Sequence, residues 1–206
     1  SPNIDIAILY DSKDKGIRHL NEARLNLFSH KIEVPKELYT TNGRPQYLKA
    51  KAYIYDLSPF DETIYLDADM LWLPRRPITE LFEKFKDIDF TMANRGCIDI
   101  TKADEKFINW ASPKEIQKAY GYGLLYNLSS EFIYFKKSKE AAKLFKATQA
   151  NFDTLKVGHM LFGNGVPDEL PFIIAMLTTG IYPHTAPFLP SYWELFFNKN
   201  MQAAQM

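Results

Sequence analysis

The sequence predicts an α/β fold in a single domain, 1–206, with a mostly parallel central sheet. Short apolar runs that end in polar turns, at Ile4–Tyr10, Thr63–Leu66, Ile88–Met92 and Phe132–Phe135, read as buried strands. Segments with apolar residues at helical spacing stand between them. Strands alternating with helices at this interval suggest βαβ units, whose strands lie parallel.

Taken in order, Asp5–Tyr10 closes at Asp11-Ser12-Lys13 as a first strand, and a helix is expected over Lys15–His30. Tyr47, Ala50, Ile54 and Leu57 recur at one helical face, and Ser58-Pro59 stops that helix. After the Thr63–Leu66 strand, apolar character resumes at Met70–Leu73, and Leu81, Phe82 and Phe85 predict a short helix after Thr79. Ser112-Pro113-Lys114-Glu115 is a capping box with Pro at the first helical position; the helix runs to about Tyr120, ended by Gly121 and Gly123. Ser138 caps a helix that turns Ala141, Leu144, Phe145 and Thr148 to one side. Gly158, Gly163 and Gly165 mark a looser stretch before a last helix, Asp168–Leu177, with Pro171 in its first turn.

Composition narrows the function. Lys+Arg and Asp+Glu balance at 25 each, with no basic stripe, which argues against a nucleic-acid partner. The single Cys97 excludes an internal disulfide and a Cys-rich zinc site; it reads as an inert, half-buried thiol. Ser1-Pro2-Asn3 runs into the first strand without a signal-peptide pattern, so a reducing, cytoplasmic setting is expected. Leu170–Trp193 carries no formal charge, but Pro171, Pro183, Pro187, Pro190 and Gly180 interrupt it too often for a transmembrane segment. It reads as a helix, a strand and a turn.

The chemistry concentrates in Ile64-Tyr65-Leu66-Asp67-Ala68-Asp69-Met70-Leu71-Trp72. At about 5 Å, two carboxylates repel by roughly 3 kcal/mol at an effective dielectric of about 20. A divalent cation would compensate, and oxygen ligands suit Mg²⁺ or Mn²⁺, which keep positions open for water and substrate phosphates. The exit of a strand is also where open α/β sheets bind ligands. A plain turn after a strand is the simpler account of Asp67 and Asp69, but it does not explain the apolar runs on both sides.

The block Lys51-Ala52-Tyr53-Ile54-Tyr55-Asp56-Leu57, then Phe60-Asp61-Glu62-Thr63-Ile64-Tyr65-Leu66-Asp67-Ala68-Asp69, resembles the central block of the GT-A glycosyltransferases. These are nucleotide-diphospho-sugar transferases of Rossmann-like fold. The chain is most similar to the group containing glycogenin and the bacterial lipopolysaccharide galactosyl- and glucosyltransferases. The match covers roughly 51–73 and thins elsewhere to single elements. The resemblance implies that Asp69 ligates the metal and that Asp67 serves both metal and donor ribose. It makes Lys51 a donor-binding residue, whose rival reading is a solvated helix-face Lys. Tyr10 and Asp11 fall where such enzymes hold the nucleotide base, UDP favoured and GDP possible; a core Tyr and a turn Asp are the alternative.

Phe135-Lys136-Lys137-Ser138 also fits the family, but its usual Asn-Ser-Gly motif reads Ser129-Ser130-Glu131 here. Ser130 and Glu131 are therefore candidate sugar-side contacts. Asp168-Glu169 resembles the family's Asp-Gln pair facing the reacting centre, and either carboxylate could serve as a base if the reaction inverts. Asp168 reads equally well as a helix N-cap. Arg95 is placed near the donor phosphates or an acidic acceptor, with a surface Arg as its rival. The family's third ligand, a His in a C-terminal His-x-x-Gly-x-x-Lys-Pro-Trp block, has no counterpart. His184 precedes Leu189–Trp193 and His159 lies in the Gly-rich stretch. Either the chain is trimmed at its C-terminal side or the third ligand comes from elsewhere.

The expected activity is sugar transfer from a nucleotide-diphosphate donor to a hydroxyl of a glycan, lipid-linked or protein acceptor, with retention as in the named relatives. Sugar-nucleotide nucleotidyltransferases are a rival, although the Gly-rich loop they usually carry is missing from Leu9–Gly16. A phosphohydrolase with a nucleophilic Asp and a non-catalytic carbohydrate-binding domain complete the alternatives.

Overall fold

The computed structural model describes residues 4–11, 17, 20–41, 43–70, 77–98, 111–157 and 166–184. The fold is mixed α/β. Strand β1 (Ala7–Tyr10) pairs in parallel with β2 (His30–Glu33), from Ala7↔His30 to Tyr10↔Glu33. Between them α1 (Glu22–Leu25) opens on Asn21, whose side chain accepts from the Arg24 amide at 2.9 Å. The helix expected to reach His30 therefore stops early. Ser29 is the cause: its hydroxyl donates to Asp5 (3.0 Å) and accepts from the Ile6 amide (3.2 Å), drawing the chain onto β1 as a strand.

A 3-10 helix (Lys36–Tyr39) leads into a small antiparallel ribbon, β3 (Thr40–Thr41) with β4 (Arg44–Pro45). A second 3-10 helix (Tyr47–Tyr53) then continues into α2 (Ile54–Leu57). Ile54 is buried as its spacing predicts, whereas Tyr47 is 62% exposed and stands off the core. The tighter 3-10 winding, at about three residues per turn, rotates Tyr47 out of the face that an α-helix would give it.

The principal sheet has the order β5-β7-β6, formed by β5 (Glu62–Leu66), β6 (Phe90–Cys97) and β7 (Tyr126–Lys136). Strand β7 is antiparallel to both neighbours, from Glu62↔Lys136 to Leu66↔Phe132 on one side and Phe90↔Phe135 to Cys97↔Tyr126 on the other. This corrects the mostly parallel sheet; among the described residues only β1 and β2 pair in parallel. The reason lies in the connection from β6 to β7, which holds α4 (Pro113–Tyr120). Its two ends meet, Cys97 opposite Tyr126 and the Ile98 amide donating to the Leu125 carbonyl at 2.8 Å. The chain leaves and re-enters the sheet at the same end, so α4 sits in an excursion and is not a crossover.

Strand β7 takes the centre because Phe132–Phe135 needs burial on both faces, and successive side chains on a strand point to opposite sides. Ile133 and Phe135 face α5 (Lys139–Thr154) and α6 (Glu169–Thr179), sharing a core with Leu144, Phe145, Phe172 and Ile173. Phe132 and Tyr134 face the other way, onto Leu81 and Phe85 of α3 (Thr79–Phe85). Phe145 meets Phe135 edge-on at 5.2 Å and Phe85 meets Tyr134 at 4.7 Å. A buried ring of this kind contributes about 1.5–3 kcal/mol by removal from water.

The caps follow the sequence. Ser112 and Glu115 form the reciprocal capping box of α4, and Gly121 closes that helix at φ 99°. Ser138 accepts from the Ala141 amide at 3.2 Å, and Ala141, Leu144, Phe145 and Thr148 are all buried. Replacing the hydroxyl (Ser138→Ala) is expected to cost about 1 kcal/mol in urea unfolding, without changing the slope of the transition.

Cys97 is exposed, where a half-buried thiol was expected. It ends β6 beyond a register shift between Asn94 and Cys97, which carries it past the packed part of the sheet. No helix among the described residues is long and apolar enough to cross a membrane. The segments Leu71–Leu73, 158–165 with His159, and Leu189–Trp193 lie outside the described residues.

Candidate functional site

Five predicted residues from four separate segments converge on one buried hydrogen-bonded cluster. Lys51 comes from the second 3-10 helix, Asp67 from the exit of β5, Ser130 from β7, and Asp168 and Glu169 from the start of α6. The Lys51 ammonium lies 2.8 Å from Asp67 Oδ2 and 2.7 Å from Asp168 Oδ2, and donates to Ser130 Oγ at 3.1 Å. Ser130 in turn donates to Asp168 Oδ2 at 2.6 Å, with Glu169 Oε1 at 3.4 Å. Tyr65 donates its phenol to Asp67 Oδ1 at 2.7 Å.

Local structure explains the convergence. Tyr65 and Asp67 are two residues apart at the end of a strand, hence on one face. The Asp67 amide still donates to the Glu131 carbonyl of β7 at 3.1 Å, so the sheet fixes the start of the acidic turn. The turn closes through the Met70 amide and the Asp67 carbonyl at 3.0 Å, leaving Asp69 exposed. Lys51 is held from behind. Lys49, 4% exposed, pairs with Asp153 of α5 at 2.8 Å, and Gln149 donates to the Ala52 carbonyl at 3.0 Å.

The rival readings separate here. The Lys51 side chain is 11% exposed and engaged on three sides, so it is no solvated helix-face Lys. Asp168 occupies the N-cap position of α6, but its side chain makes no capping bond; it turns instead to Lys51 and Ser130.

Burial opposes the charge on Lys51, but Asp168 and Asp67 outweigh it and hold the ammonium above its ordinary range. Burial, reinforced by the Asp168 charge, pushes the Glu169 carboxyl up to about 8. Burial also raises the Tyr65 phenol, with the Asp67 charge adding to it, so Tyr65 remains a hydrogen-bond donor. At neutral pH, Glu169 is largely protonated, and one ammonium faces the two carboxylates of Asp67 and Asp168, with Asp69 beside them. The corner carries net negative charge.

That electrostatic balance bears on a cation. Asp67 has both oxygens engaged, by Lys51 and Tyr65, yet a carboxylate offers about four lone-pair positions. Asp69 presents an exposed carboxylate two residues on. Two such hard oxygen donors suit Mg²⁺ or Mn²⁺, which need only one or two carboxylates when substrate phosphates complete the shell. Among the described residues no group of three His, Cys, Asp or Glu side chains could together hold a metal.

No family model, no curated protein and no solved structure matches this chain. The site is read from its own chemistry.

Glu131 is paired with the hydroxyl of Ser129 on its own strand, and its backbone, not its side chain, meets Asp67. Tyr10 and Asp11 lie at the end of β1 in the separate two-stranded sheet, with the Tyr39 phenol hydrogen-bonded to Asp11. Arg95 falls within β6, its side chain outside the described residues. His184 is exposed, and its carbonyl accepts from Thr91 at 2.9 Å. Tyr65 is the functional contact that sequence reasoning missed, although its two-residue spacing from Asp67 was there to be used.

Proposed function

We propose that the chain is a metal-dependent glycosyltransferase of GT-A type. It moves a sugar from a nucleotide-diphosphate donor, UDP-linked or GDP-linked, to an acceptor hydroxyl with retention of configuration. The observation that carries this reading is the convergence of Lys51, Asp67, Ser130, Asp168 and Glu169 into one cluster beside the exposed Asp69.

Each side chain has a definite task. Lys51 has its three ammonium protons on Asp67, Asp168 and Ser130, so it reaches a diphosphate oxygen by giving up one of these partners. Asp67 and Asp69 are the residues that would hold Mn²⁺ or Mg²⁺. Such a cation, when bound, neutralises the charge that develops on a departing diphosphate. Tyr65 and Lys51 fix the orientation of the Asp67 carboxylate. Ser130 and Asp168 offer a hydroxyl and a carboxylate to donor-sugar hydroxyls. Glu169, its carboxyl pushed up to about 8 by burial, sits close to the working pH that suits a general base. That favours an inverting variant as the second reading, with Glu169 accepting the acceptor's proton; the anomeric configuration of the product decides between the two.

A thermal-shift screen of UDP- and GDP-sugars with and without Mn²⁺ tests the reading. At about a hundredfold excess over Kd, the right donor with Mn²⁺ should raise Tm by roughly 5–10 °C. Asp69→Ala should abolish the shift while leaving the unliganded Tm unchanged, since Asp69 is exposed. A flat Tm for every sugar nucleotide would sink the proposal. If a shift occurs without hydrolysis or transfer, the chain is a binding domain.

A further inference from the structure

Tyr47 opens the second 3-10 helix and is 62% exposed, yet its ring is held in place. It lies stacked on Tyr39, with centroids 5.3 Å apart and planes within 19°. Tyr39 is itself buried, ends the first 3-10 helix, and is hydrogen-bonded through its phenol to Asp11 at the exit of β1. A ring supported from behind and open in front is a stacking surface whose ordering entropy is already spent. Tyr47 also precedes Lys51 by four residues of the same 3-10 helix, about 8 Å along its axis and about a third of a turn around it. Beside it, Gln46 accepts from the Val166 amide at 3.0 Å, on the segment that leads into Asp168. The platform and the charged cluster are thus mounted on the same two stretches of chain.

We infer that Tyr47, backed by Tyr39 and tied through it to Asp11, is the surface on which the donor's nucleobase stacks. This rests on the glycosyltransferase reading and adds the part of the donor that the cluster does not touch. The diphosphate lies at Lys51 and the acidic turn, and the base reaches back along the helix to Tyr47. The base-facing ring is then Tyr47, with Tyr39 behind it. A π-face accepts any base, so the platform contributes affinity and leaves the choice of base to other contacts.

Calorimetric titration in Mn²⁺ tests this on the wild type, Tyr47→Ala and Tyr47→Phe. The probes are UDP, GDP and inorganic pyrophosphate, which lacks a base. Tyr47→Ala should weaken the tighter-binding nucleotide by about tenfold or more and leave pyrophosphate unchanged, while Tyr47→Phe keeps the wild-type affinity. The inference is overturned if Tyr47→Ala binds the nucleotide as tightly as wild type. It is equally overturned if nucleotide and pyrophosphate weaken together, since the residue would then act on the structure of the whole site. Wild-type protein that binds none of the three probes overturns the glycosyltransferase reading itself, and this inference with it.

Discussion

Lys51→Met is expected to destabilise the protein by about 3–5 kcal/mol at pH 7, and to abolish any binding of a diphosphate. The side chain removed is 11% exposed, and those it leaves behind, Asp67 and Asp168, are 21% and 6% exposed. Two carboxylates that shared one ammonium then face each other across a water-poor gap, and neither has a cation to offset its desolvation. The expected cost therefore exceeds the ~0.2–1 kcal/mol typical of a solvent-exposed pair. Lys51→Arg keeps the charge and should keep most of the stability, although its planar fork suits this compact site less well. Urea unfolding of the three proteins at pH 7 measures this. A Lys51→Met cost below about 1 kcal/mol would place the ion pair in the exposed class and remove the electrostatic argument for the site.

The acidic turn was legible because local sequence decides it: a buried strand must end, and Leu66-Asp67-Ala68-Asp69 ends it with two charges. Lys51 and Asp168 were legible as candidates, but not as partners. Their contact depends on how a 3-10 helix and the start of α6 meet across 117 positions of chain, which no local pattern encodes. The sheet direction failed for a related reason. Alternation of strands and helices implies a parallel sheet only if each helix crosses over, and whether Ile98 returns to Leu125 is a long-range fact. Tyr47 was misplaced because its face was read at 3.6 residues per turn, and the 3-10 winding that separates it from Ile54 is not written in the spacing. Glu169 stood out only beside Asp168, since adjacency in sequence gives no measure of burial.

The stability of the protein is expected to fall as pH rises from about 4.5 to about 8, and Glu169→Gln should flatten that decline. The Glu169 carboxyl, ordinarily at 4.5, is raised to about 8 by burial first and by the neighbouring Asp168 charge second. Between those two values the folded state keeps a proton that the unfolded chain has released. Stability therefore drops as pH climbs through the window, by up to about 1.4 kcal/mol per pH unit. Above about 8 both states are ionised and the slope from this group vanishes. Glutamine has the shape of the protonated carboxyl and cannot ionise, so Glu169→Gln should gain stability over the parent at pH 8 and match it near pH 4.5. Asp168→Asn removes the like charge but not the burial, and should narrow the window from its upper end without closing it. Urea midpoints for the three proteins across this range give the result, and a parent whose pH slope survives Glu169→Gln intact would show that the proton resides on a different group. If the slope does disappear, the pH dependence of transfer acquires a direct reading. An inverting reaction with Glu169 as base should gain rate as this group ionises, whereas a retaining reaction that does not use it should show no rise there.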